Sequence, residues 1–63
     1  MIEVEINIDG LVAASAEAED PEAALLAART LYDETVLGAR FYFAPRVDFR
    51  VDGSLVRSLV GRP

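Results

Sequence analysis

The chain has 63 residues, a formal net charge of −5, 52% hydrophobic residues and neither His nor Cys. That length holds one small domain, burying about 60% of the surface its unfolded form exposes, and the missing residue types exclude disulfides, thiolate chemistry and the usual zinc ligands. No apolar run approaches the ~20 residues that cross a bilayer, and no basic segment precedes an apolar one at the N-terminus, so the reading is a cytoplasmic protein with no membrane contact.

Ile2, Val4, Ile6 and Ile8 alternate with Glu3, Glu5 and Asn7, the period-2 pattern of a half-buried strand. Asp9-Gly10 then marks a hairpin, because the loop needs positive φ, which Gly adopts freely and Asp tolerates. A three-residue loop of Ile8, Asp9 and Gly10, with Gly10 left-handed, places Ile6 opposite Val12, Val4 opposite Ala14 and Ile2 opposite Ala16. It leaves one face wholly apolar, whereas a two-residue loop sets Glu17 opposite Ile2. Small Ala14, Ala16 and Ala18 on the inner face let a helix approach closely.

Asp20-Pro21-Glu22 is a helix start: Asp caps free amides, Pro suits the first turn and Glu favours the positive helix end. The helix is expected from Pro21 to Leu37, with Gly38 ending it in the left-handed conformation. At 100° per residue, Ala24, Leu25, Ala28, Leu31, Tyr32, Thr35 and Val36 face the sheet. Leu26 and Leu37 lie outside, among Glu22, Thr30 and Asp33, and are candidates for a partner surface.

A second strand region begins with Arg40 to Ala44, is broken at Pro45 and continues from Arg46 to Val51. Phe41, Phe43, Val47, Phe49 and Val51 are expected to form the bulky half of the core, with Tyr42 pointing outward. Asp52-Gly53 marks the second hairpin. Ser54 to Gly61 also suits a helical stripe, but the preceding Asp-Gly favours a strand, with Val56 and Val60 inward and Leu55, Arg57 and Leu59 outward. The expected fold is α+β, ββαββ: a four-stranded antiparallel sheet of order 2-1-3-4, one helix on one face and a second chain partly covering the other.

Without His, Cys or Lys the usual general base and the thiol and amine nucleophiles are missing, and Ser15, Ser54 and Ser58 have no evident activating partner. The expectation is a protein with no catalytic residues, metal or cofactor. Glu17, Glu19, Asp20 and Glu22 do not match a Ca²⁺ loop, and acids at a helix start have a structural reason. Residues 1–34 hold nine acids and one Arg, whereas residues 35–63 hold two acids and five Arg, all six basic residues being Arg. With ten Ala, that usage suggests a GC-rich coding sequence, bacterial or phage.

Two strands followed by Asp20-Pro21-Glu22-Ala23-Ala24-Leu25 resemble, over roughly residues 2–37, the partial dsRNA-binding-like fold of HicB-type antitoxins, although the Pro-rich strand of that family is missing. The resemblance implies a protein that neutralises a small partner. The expected function is thus a non-enzymatic protein-binding module, homodimeric, acting as a small accessory or inhibitor protein. Its candidate interface comprises Leu26, Leu37, Tyr42, Leu55, Arg57 and Leu59. Alternatives are an assembly subunit of a larger particle and an acidic nucleic-acid mimic using Glu3, Glu5, Glu17, Glu19, Asp20 and Glu22. Binding of nucleic acid itself is disfavoured by the net negative charge.

Overall fold

A computed structural model describes residues 1–61 and shows a four-stranded antiparallel sheet ordered β2-β1-β3-β4 with one helix packed on it. The elements run β1 (Ile2–Ile8), β2 (Leu11–Ala18), α1 (Pro21–Tyr32), a π-helical turn (Asp33–Leu37), β3 (Arg46–Val51) and β4 (Ser54–Val60). This is the ββαββ order that the two Asp-Gly pairs and the Asp20-Pro21 helix start call for.

Both hairpins turn on two residues, where three were expected for the first. Asp9 and Gly10 have φ of 52° and 85°, and Asp52 and Gly53 have 49° and 81°. Positive φ at both central positions is the tight turn whose twist matches that of the strands. Ile8 is therefore opposite Leu11, a phase that would mix apolar and charged faces if it continued. An extra residue at the level of Ile6 and Asn7 prevents this. Ile6 meets Ala14, Val4 meets Ala16 and Ile2 meets Ala18, two residues beyond the pairing expected from a three-residue loop. Val12, expected inward, instead stands opposite Asn7 and is exposed. A β-bulge thus does the work assigned to a longer loop.

The second hairpin repeats the device. Val51 pairs with Ser54 and Arg50 with Leu55, but Phe49 pairs with Arg57 and Val47 with Leu59. The skipped residue, Val56, reverses the expected facing of β4 from Arg57 onward, while Leu55, opposite Arg50, stays on the outer face as expected. Leu59 packs against the core while Val60 and Val56 are exposed, and Arg57 stands on the face of Phe49 and Ile6.

The core is built on β1, which has a neighbour on either side. Val4, Ile6 and Val47 are buried almost completely, joined by Ala18 from β2 and by Ala24, Leu31 and Val36 from the helical segment. Asp20 caps α1, its Oδ1 accepting from the Ala23 N–H at 2.8 Å, so Asp20→Ala is expected to cost about 1 kcal/mol in a urea unfolding measurement. The helix does not stay α-helical to Leu37. From Asp33 it widens into the π turn, where the Gly38 N–H donates to the Asp33 carbonyl at 3.0 Å. That closure satisfies the last turn with Gly38 at φ −84°, so the expected left-handed cap is not used. Residues 40–44 are not strand, and Phe43, expected in the core, is exposed. Pro45, by contrast, is buried, its carbonyl accepting from the Gly61 N–H at 2.8 Å.

Candidate functional site

The helix lies over one half of the sheet. Its packing is against β1 and β2, where the small residues Ala14, Ala16 and Ala18 let it settle. Its nearer edge touches β3 through Tyr32, whose ring is stacked on Phe49 with centroids 5.9 Å apart. Beyond that contact the same face of β3 and β4 is open. Between α1 and these strands runs a groove of about 700 Å³. Phe49, Val51, Val56 and Leu59 line it from the strands, and Ala24, Leu25, Ala28 and Tyr32 line it from the helix. Leu25, expected to face the sheet, stands at the lip, 66% exposed. Arg29 and Arg57 supply the charge, and no acidic residue lines the groove among the described residues.

Two of the six residues singled out from sequence for a partner surface, Arg57 and Leu59, line this groove. Leu26 and Leu37 lie exposed on the helical segment, Leu55 is exposed on β4, and Tyr42 is 99% exposed beside Phe43 in the loop before β3. These six therefore do not form one patch. The groove itself was hidden from periodicity, since the angular face of a helix does not say over which strands it lies. Exposed Val56 next to the Asp52-Gly53 turn is the signal that could have pointed there.

The acidic residues also divide. Glu3 and Glu17 are directly paired, with Glu5 opposite Ser15, all on the outer face of β1 and β2. Asp20 is engaged as the helix cap and Glu22 sits in the first turn, while Glu19 is exposed in the connection between β2 and α1. Among the described residues no group of three or more acidic side chains lies close enough to hold a metal ion.

The outer face carries one organised polar cluster. Asp48, buried in the middle of β3, accepts from Arg46 Nη2 at 2.9 Å and from Arg46 Nε at 3.2 Å, and also from the Ser58 hydroxyl. Asn7, its neighbour on β1, has a buried Oδ1 with no hydrogen-bond partner among the described residues. The Arg46 hydrogen bonds, followed by that of Ser58, hold the Asp48 carboxyl below the usual carboxylate range. A carboxyl lowered in this way stabilises the fold above its unfolded value of about 3.9, and that stability is lost as pH falls through the lower folded value. Urea midpoints of the native chain and of Asp48→Asn are therefore expected to differ at neutral pH and to converge as pH falls below about 4. A constant difference would show that the carboxylate charge is not what the cluster uses.

The site is thus an apolar groove with two arginines, on the side of the sheet where the helix leaves two strands uncovered. No family model, curated protein or solved structure matches the chain.

Proposed function

We propose that this protein is a non-enzymatic protein-binding module that works as a homodimer, a small accessory or inhibitor protein that acts by occupying a protein partner. The observation that carries the reading is the groove: apolar surface gathered in one concavity beside a helix, whereas the exposed apolar residues of the other sheet face, Val12, Leu55 and Val60, stand apart among charged and polar neighbours. Contiguous apolar surface rimmed by charge is what protein contact sites look like. Support also comes from size, since a domain this small, with no Cys for a disulfide and no Cys or His for a structural zinc, gains stability by burying surface against another chain. The absence of His, Cys and Lys supports binding over chemistry.

One observation favours the acidic nucleic-acid mimic as a second reading. Glu3 and Glu17 face each other directly across two strands, an arrangement that costs stability and therefore invites another reason for its presence. Salt separates the two. Light scattering at about 0.1 M and about 1 M salt is expected to give a dimer mass that does not fall with ionic strength, as an apolar contact requires. Association that weakens steeply with salt would favour the acidic face.

A further inference from the structure

The two hairpins are related by an internal two-fold axis, and only one of them has a helix. The axis passes through the Ile6–Phe49 pair at the centre of the β1–β3 ladder, exchanging Val4–Val51 with Ile8–Val47. Its hydrogen bonds obey it as well. The Asp9 N–H donates to the Arg46 carbonyl and the Asp9 carboxylate accepts from the Arg46 N–H, while Asp52 makes the same two bonds with Glu3, all four at 2.9 Å. Turns, bulges and clamps therefore match. Applied to α1, which covers β1 and β2, the axis generates a helix position over β3 and β4, and the groove is the open part of that position, along Phe49 and Val51 of β3 and Val56, Arg57 and Leu59 of β4.

We propose that the α1 helix of a second copy fills this position, so that each chain's helix lies in the other's groove. This rests on the reading of the groove as a protein-docking face. Charge selects the occupant. The groove offers Arg29 and Arg57 without an acid among its described lining residues, and the solvent face of α1 and its π turn presents Leu26 among Glu22, Asp33 and Glu34, all exposed. Two such contacts related by a two-fold satisfy both grooves at once, and association stops at two chains.

The chain contains no Cys, so single cysteines report proximity cleanly. Mixing Leu26→Cys and Val56→Cys chains under mild oxidation is expected to give the mixed disulfide as the main cross-linked product, since the bond needs Cα atoms within about 7 Å. Self-linked products alone would overturn the proposal. Val56→Asp, at an exposed position of the single chain, is expected to weaken the dimer about 100-fold by sedimentation while leaving the fold intact by circular dichroism. A native chain that is monomeric but binds an apolar fluorophore, with binding lost in Val56→Asp, overturns the second copy and leaves the groove as a docking face for another protein. A monomer that binds no fluorophore, or a dimer unaffected by Val56→Asp, overturns both readings.

Discussion

Replacing Ile6 by Ala is expected to lower the unfolding free energy by about 2–5 kcal/mol, enough to remove most of the stability of a domain for which the per-residue norm gives only about 3–9 kcal/mol in total. Ile6 is 0% exposed and lies on the sheet's central ladder between Ala14 and Phe49. The neighbours cannot close the space it would leave. Ala14 has no side chain long enough to reach in, Phe49 is held against Tyr32, and the flanking backbones are fixed by their ladders. Urea unfolding followed by circular dichroism checks this through the midpoint at unchanged slope. A loss below about 1 kcal/mol would mean that the helix sinks to fill the cavity.

Ala18→Leu, the second large effect, acts in the opposite direction by adding volume. Ala18 is buried near the end of β2, opposite Ile2, on the sheet face covered by α1 and away from the groove. Added side-chain atoms have no open space to enter there and push the helix outward, at a cost of about 1–3 kcal/mol. For a domain of this size that corresponds to a fall in melting temperature of about 8–24 °C. Thr30→Ala, on the exposed side of the same helix, is expected to change stability by less than about 0.5 kcal/mol. Equal effects at the two positions would show that the helix is not held by close contact.

The element order was legible because each boundary has a local chemical cause. Asp-Gly supplies two consecutive positive φ angles, Asp20 supplies an acceptor for a free amide, and the alternation in β1 assigns its faces. The bulges were not legible, since Ala13 and Val56 are unremarkable strand residues and the need to skip one arises only from pairing with the neighbouring strand. Residues 40–44 misled through composition. Three aromatics in a row carry strand propensity, but no strand pairs with them, and Phe43 and Tyr42 end in solvent. The groove is a tertiary property, set by the lateral position of α1 over β1 and β2. Arg57 and Leu59 were singled out for a face of β4 that the bulge then reversed.

The same bulges have a bearing on aggregation. In this sheet β2 and β4 are the edge strands, and an edge with free backbone amides and carbonyls invites a strand from another molecule. Each edge is interrupted by its own bulge, which breaks the ladder and adds local twist. Charged side chains on these strands, Glu17 on β2 and Arg57 on β4, add to the protection. The extra residue that restores the alternation in each hairpin thus also hinders stacking of these strands into cross-β fibres, and leaves the faces of the sheet, not its edges, as the way for chains to meet.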